Sequence, residues 1–387
     1  MSCNELAVYI HIPFCVRKCA YCDFLSFPAS EEVRGEYLNK LEWEIKMRAE
    51  ALSGYRVSSV FFGGGTPSVL PADAPGRLLA ALRENLAFLP ESEISIEANP
   101  GTVTREKAEA WKEAGINRLS MGCQSLKDEE LALLGRIHQA EDSFRSFETA
   151  RAAGFSNINV DLMSALPGQS VASCLDSLRE VLHLGPEHLS AYSLIVEEGT
   201  PFYEAYGRAD ELRRRGKEQK LLPTEEEERE MLYEGRRILT EAGFVQYEIS
   251  NYARDGHVCR HNLCYWKRGD YAGFGLGAVG CMGEVRRKNT EDLKRYLEAE
   301  KVEELCGEEE HLTLEDARAE AMFLGLRLCE GVDPLLYEKR YGKKPEELYG
   351  EWIGKMLAEG LLVRESGRLK LSMQGQDLAN VVMGGFV

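Results

Sequence analysis

Three cysteines fall within eight residues, Cys15-Val-Arg-Lys-Cys19-Ala-Tyr-Cys22. Three thiolates on one loop can wrap a metal centre. A structural zinc site asks for four protein ligands in tetrahedral geometry. His11, four residues before Cys15, could complete a Cys₃His set, but it belongs to a strand expected to carry it away from the loop. Three cysteines alone suit a 4Fe-4S cluster with one iron free of protein ligands, and such an iron is a place for a small molecule to bind. Zinc, or a chance gathering of thiols, stays open on these residues alone.

A second constellation lies far downstream, His261-Asn262-Leu263-Cys264-Tyr265-Trp266. Imidazole is a common axial ligand of haem iron, and Tyr265 and Trp266 could pack against a porphyrin face. The blander alternative has His261 and Asn262 pinning a turn while the aromatics fill a domain junction. Cys259 and Cys264 flank the histidine, but the spacing is not the C-x-x-C-H of covalent haem attachment. Cys174, Cys306 and Cys329 stand singly on helix-like stretches, where a thiol behaves as a small hydrophobe.

The elements that must position these residues alternate. Strands are predicted at 7–12, 57–62, 93–98, 117–122, 158–163 and 188–194. Helical stretches at 31–51, 72–88, 104–114, 127–134, 140–153 and 170–184 separate them. Such βαβ units imply a parallel sheet. Six units are too few for a closed eight-stranded barrel, so the α/β fold expected is a partial (βα)₆ barrel over 1–245. Chemistry in such folds collects at the C-terminal ends of strands. Those ends read Gly63-Gly64-Gly65-Thr66-Pro67, then Glu97-Ala-Asn99-Pro100, Gly122-Cys123-Gln124-Ser125, and Asp161. Each is weak alone, since a glycine triplet is usually a turn and a strand-end acid is often a cap. Five polar or glycine-rich elements on one rim, counting the thiol loop, are hard to credit to chance.

Beyond the strands, the charged run over 202–222 reads as a solvated loop. Thr224 with Glu227 forms a capping box that starts a long helix. Residues 246–307 are a Gly- and aromatic-rich connecting segment. The remainder, 308–387, reads as helices followed by a hairpin turning at Ser366-Gly367, a winged-helix-like appendage.

Composition bounds what such a chain can be. Its 387 residues are 44% hydrophobic and 29% charged. That apolar content excludes wholesale disorder. No apolar run reaches the roughly 18 residues of a membrane span. Lys plus Arg number 47 against 64 for Asp plus Glu, a net charge of -17 that argues against a nucleic-acid partner. Eleven cysteines, with no secretory pattern at the N-terminus, point to a reducing cytoplasm.

The cysteine loop resembles the C-x3-C-x2-C signature of the radical S-adenosylmethionine superfamily. The words YIHIPFC, FFGGGTPS, EANPGT, GINRLSMGCQS, DLMSALPGQ and LSAYSL resemble the oxygen-independent coproporphyrinogen III oxidase-like family over nearly the whole chain. The resemblance implies a radical-SAM-type barrel and a 4Fe-4S cluster held by Cys15, Cys19 and Cys22. In that superfamily S-adenosylmethionine chelates the open iron and is split to a 5'-deoxyadenosyl radical. It implies that Tyr9, Gly64 and Glu97 bind this molecule. A second S-adenosylmethionine position is implied at Gly65, Thr66, Gln124, Arg136 and Asp161; Arg136 without the family would read as a surface helix charge. Two departures are Cys123, where a valine is expected, and Ala165, where a glycine is expected.

Oxidases of the family continue the loop with a further cysteine two residues after the third. Here the continuation is Cys22-Asp23-Phe24. That stretch and the H-N-x-x-Y-W motif resemble the family's haem chaperone branch. The branch implies haem b as ligand, contacted near His261, Tyr265 and Trp266, and a haem-accepting respiratory protein, membrane-associated or not, as partner. It allows a homodimer and leaves open whether catalysis persists. Radical decarboxylation of coproporphyrinogen III, or modification of haem itself, are the rival activities.

Overall fold

Each of the six β-rich runs becomes a strand in the computed structural model, which describes residues 4–387. The strands β1 (Asn4–Ile12), β2 (Tyr55–Gly64), β3 (Ala87–Ala98), β4 (Arg118–Gln124), β5 (Ile158–Ser164) and β6 (His188–Ser193) pair in that order, all parallel. Between them run α1 (Glu31–Arg48), α2 (Ala74–Asn85), α3 (Arg105–Ala114), α4 (Asp128–Leu133), α5 (Ala140–Ala152) and α6 (Val171–Leu184). Alternate residues of a strand face opposite ways, and here the two faces differ in kind. Val8, Ile10, Phe62, Ile96, Met121 and Val160 join the apolar core beneath the helices. Tyr9, Phe61, Glu97, Arg118, Asp161 and Ser190 face the other side and line one cavity. Residues from both β1 and β6 meet there, so the sheet curls into a partial barrel with a polar interior.

The run over 202–222 corrects the loop expected there. Its first part is a helix, α7 (Pro201–Arg214), capped by the Thr200 hydroxyl, which accepts from the Tyr203 N–H at 3.2 Å. The charges hold the helix together. Arg213 pairs with buried Asp210 at 2.8 Å and with Glu228 at 3.0 Å, and Arg214 reaches Asp210 at 2.7 Å. Glu228 lies on α8 (Glu225–Glu241), whose predicted capping box is present: Thr224 accepts from the Glu227 N–H at 3.2 Å, and Glu227 accepts from the Thr224 N–H at 2.8 Å. Thr224→Ala is expected to cost about 1 kcal/mol in urea unfolding.

Residues 246–307 do not stand apart as a connector; they extend the sheet. At one edge β8 (Asn251–Ala253) pairs antiparallel with β6, and β7 (Val245–Glu248) pairs with β8. The helix α9 (Arg260–Trp266) follows, and then β9 (Tyr271–Phe274) pairs parallel with β1 at the opposite edge. Next come β10 (Val279–Met282), β11 (Val285–Asn289), α10 (Leu293–Glu298) and β12 (Cys306–His311), giving a sheet of twelve strands. The C-terminal appendage therefore starts after β12 rather than at 308. It comprises α11 (Leu314–Arg327), α12 (Pro334–Tyr341), α13 (Pro345–Ala358), the hairpin β13 (Leu362–Glu365) and β14 (Arg368–Leu371), and the short α14 (Met373–Asp377) and α15 (Ala379–Gly384). Met322, Leu326, Ile353, Met356 and Leu369 give it a core of its own. Among the described residues no helix is long and apolar enough to cross a membrane.

Candidate cluster and nucleoside site

The cysteine loop sits over the C-terminal ends of β1 to β6 and is strapped there from three sides. Gly65 and Thr66 donate their N–H groups to the carbonyls of Ile12 and Phe14, both at 2.8 Å. The Ala20 N–H donates to the Leu134 carbonyl at 3.1 Å, and the Phe202 N–H donates to the Ala20 carbonyl at 3.0 Å. Arg17 donates to the Gly135 carbonyl at 2.8 Å. A loop so pinned presents its thiols without paying the ordering entropy when a cofactor arrives.

Cys15, Cys19 and Cys22 all line one cavity of about 340 Å³. Gly64, Gly65, Thr66, Glu97, Gln124, Arg136 and Asp161 line the same cavity, so ten of the eleven cluster and nucleoside residues expected from the sequence converge. Tyr9 is the exception. It lies in a smaller cavity that adjoins the first at Glu97, Ser120, Asp161 and Ser190. Among the described residues no three His, Cys, Asp or Glu side chains converge tightly enough to hold a single metal ion. Thiols spread around a roomy cavity fit a bulky iron–sulfur cube, whose ligands stand apart, better than one tetrahedral ion.

The glycine run fits such an occupant. Gly64 has φ 114°, and a Cβ there would lie 2.5 Å from the His11 ring. At Gly65 a Cβ would come within 3.0 Å of the Cys15 Sγ. Side chains at either position would collide with His11 or with the cysteine loop and push it out of place. Thr66 donates its hydroxyl to the Cys15 sulfur at 3.5 Å, and Arg136 donates to the Cys19 sulfur at 3.6 Å and to the Asn99 Oδ1 at 2.8 Å. The Arg136 Nε is buried without a partner. That guanidinium, set beside two thiols, suits an occupant that carries negative charge.

Two acids set the electrostatics of the cavity floor. Glu97 accepts the Gly64 N–H at 3.1 Å, and burial, then the charge of Asp161, pushes its carboxyl up to about 8. Burial also raises the Asp161 carboxyl, against the Asn159 amide that donates to it at 2.6 Å. Gln124 ends β4 with φ 67°, a conformation unfavourable for a non-glycine residue and found most often at functional sites. Its Oε1 accepts the Tyr192 hydroxyl at 3.0 Å. Tyr192, Tyr21 and Asn251 also line the cavity and were missed in the sequence. Tyr192 occupies an inward position near the end of β6, a signal that strand alternation carries; Asn251 comes from β8, which carries none.

His11 is not turned away from the loop as expected. Its Nε2 shares a hydrogen bond with the Leu25 carbonyl at 3.0 Å, and its Nδ1 shares one with the Tyr9 hydroxyl at 3.1 Å. Both ring nitrogens are engaged, so it buttresses the loop and adds no fourth ligand. A second buttress is Glu44, fully buried on α1, which accepts from the Gly275 N–H at 2.9 Å, the Asn289 amide at 2.8 Å and the Tyr296 hydroxyl at 2.8 Å. The Gly275–Gly277 turn it holds packs against Leu25. Neither departure from the family words touches the cavity wall: Cys123 and Ala165 are buried behind it.

The three residues expected near haem do not converge. Glu93 accepts the N–H groups of Arg260 and His261 at 3.0 and 3.1 Å, fastening α9 across the barrel at the middle of β2 and β3. The His261 Nδ1 meets the Ser59 hydroxyl at 2.9 Å and its Nε2 meets the Tyr265 hydroxyl at 2.8 Å. Burial, with Arg118 adding, holds the imidazole down to about 3, so it is neutral. As placed, neither nitrogen is free for iron. His261 and Tyr265 face the smaller interior cavity, whereas Trp266 faces the appendage, with the Arg327 guanidinium 4.3 Å from its ring centroid.

The polar partial barrel and its three-thiol loop define a radical S-adenosylmethionine protein. Residues 9–181 match the family model described as the radical SAM superfamily, and 312–378 match the HemN C-terminal domain. A heme chaperone HemW of Bacillus subtilis is 38% identical, over 98% of this chain and 99% of that protein. Its counterpart in Haemophilus influenzae is 33% identical over 99% and 98%. Among solved structures, the coproporphyrinogen III oxidase HemN of Escherichia coli superposes with a TM-score of 0.81 at 25% identity, covering 99% of this chain and 90% of that one. The chain belongs to the HemW family, within the HemN-like part of the superfamily. Its cofactors are a 4Fe-4S cluster and S-adenosylmethionine. When bound, that pair supplies reductive cleavage of a sulfonium; the protein's own residues hold, shield and orient it.

Proposed function

We propose that this chain binds haem b and hands it to an acceptor protein, a haem-containing respiratory enzyme, while carrying the cluster and S-adenosylmethionine in its barrel. The observation that carries this reading is the end of the cysteine loop. Where the oxidases place a further thiol, Cys22 is followed by Asp23 and Phe24, and Phe24 stands 67% exposed at the rim of the cluster cavity. Full-length likeness to two proteins named heme chaperone supports it. The ten described cysteines are all free, which suits a reducing compartment. Contact with haem near α9 then requires His261 to give up the Tyr265 or the Ser59 hydroxyl. In this reading the cluster gates transfer or dimerisation rather than driving turnover.

Anaerobic reconstitution followed by haem titration and assay for 5'-deoxyadenosine tests the proposal. Stoichiometric haem with little nucleoside cleavage is expected. Vigorous cleavage with conversion of coproporphyrinogen III, or of haem, would replace the carrier reading with an enzymatic one. Cluster-free protein that transfers haem as well as the loaded form would remove the gating role.

A further inference from the structure

The smaller cavity inside the barrel, about 190 Å³, holds a buried cation whose Nε has no acceptor. Arg118, at the start of β4, is only 2% exposed, and its Nε is buried without an acceptor. The carboxyl groups of Glu93 and Asp161 act on it through space, and neither accepts a hydrogen bond from it. Ser95, its register partner on β3, also has a buried hydroxyl without a partner. The nearby acids are already engaged: Glu93 with the amides of α9, Asp161 with Asn159, and Glu97 with Gly64. A buried guanidinium N–H without an acceptor is costly for a fold to carry. Arg118 therefore has a standing demand for an anion, and it lies one inward step below Glu97, where this cavity opens into the cluster cavity.

We infer that the Arg118 guanidinium receives a ligand carboxylate inside the barrel. A planar fork of N–H donors matches a carboxylate in two-point contact. The space is smaller than a whole cofactor pocket, so it takes the acidic arm of a ligand whose body lies in the cavity above. Two ligands bring such an arm: a haem propionate, which rests on the function proposed above, or the methionyl carboxylate of a second S-adenosylmethionine.

The test uses full-length, anaerobically reconstituted protein with Arg118→Met and Arg118→Lys, cluster content being checked by absorbance. If a propionate is the arm, Arg118→Met weakens haem binding roughly 10- to 100-fold. Arg118→Lys then recovers much of the loss, and wild-type protein binds haem dimethyl ester as weakly as the Met variant binds haem. If the second nucleoside is the arm, equilibrium dialysis shows the Met variant losing one equivalent of S-adenosylmethionine while keeping the other. The ester comparison needs no mutation, so a variant that fails to fold does not remove it. Wild-type affinity for haem and its diester being equal, with unchanged nucleoside stoichiometry in a cluster-loaded variant, overturns the inference. Wild-type protein that binds no haem at all sinks the carrier reading instead, and the nucleoside arm still decides Arg118.

Discussion

Cys19→Ala is expected to lower the iron of anaerobically reconstituted protein from about four atoms per chain to below about one. The broad absorbance near the visible edge and the paramagnetic signal after dithionite should vanish with it. The effect is large because the three thiols of the loop are the whole protein ligand set; two cannot hold the cube. Cys19 is the sharpest choice because its sulfur has one long contact, from Arg136 at 3.6 Å, and the backbone holds the loop. The backbone ties of Ala20 to Leu134 and to Phe202 remain in the variant. The cluster-free variant should therefore unfold like cluster-free wild type. Cys123→Ala, in the wall behind the cavity, is the control and should keep its iron. Full iron content in Cys19→Ala would mean that the cluster is held elsewhere, and stoichiometric zinc in wild type would mean that there is no cluster.

Binding of S-adenosylmethionine should release nearly one proton at pH 7 and strengthen as pH rises. Glu97, pushed up to about 8 by burial and Asp161, is mostly protonated at neutral pH in the free protein. An N–H of the bound methionyl group needs the ionised carboxylate as its acceptor, so the Glu97 proton must leave. Affinity should rise roughly tenfold per pH unit from about 6 to about 8 and level off above. Calorimetry in two buffers of different ionisation enthalpy counts the proton directly. Glu97→Gln should bind weakly with no such slope. A flat wild-type profile between about pH 6 and 9 would show that Glu97 does not meet the amine. The same group sets a stability trend of fixed sign. Because its folded value is raised, its contribution is full below about pH 4.5 and is lost progressively as pH climbs to about 8. Cluster-free Glu97→Gln should thus outlast cluster-free wild type at about pH 8.5, with the advantage shrinking as pH falls and gone near about pH 4.5.

Much of this site was legible because the motifs sit where strand alternation and strand ends put them. Glycine runs, a strand-end acid and three close thiols name the rim of a barrel before any coordinate is known. What the sequence hid is physical as well. The run after Thr200 looks like a solvated loop because its residues are charged, yet the charges pair at helical spacing and one of them, Asp210, is buried. The strands β8 to β12 are short and find their partners far along the chain, so local pattern cannot reveal them. Strand direction alone points His11 away from the loop, yet the loop folds back far enough for Leu25 to reach it. Arg118 looked like an ordinary strand residue; only burial and the engagement of its neighbours make it stand out.

The segment from β8 to β9 grips both rims of the curled sheet, with α9 as the bridge between them. It works as a clasp. Any change in the spacing of the two edges would fall on that short span, since its two ends are paired to opposite edges. The helix that bears the H-N-x-x-Y-W motif thereby ties three parts of the molecule, the two barrel edges and, through Trp266 against Arg327, the C-terminal unit.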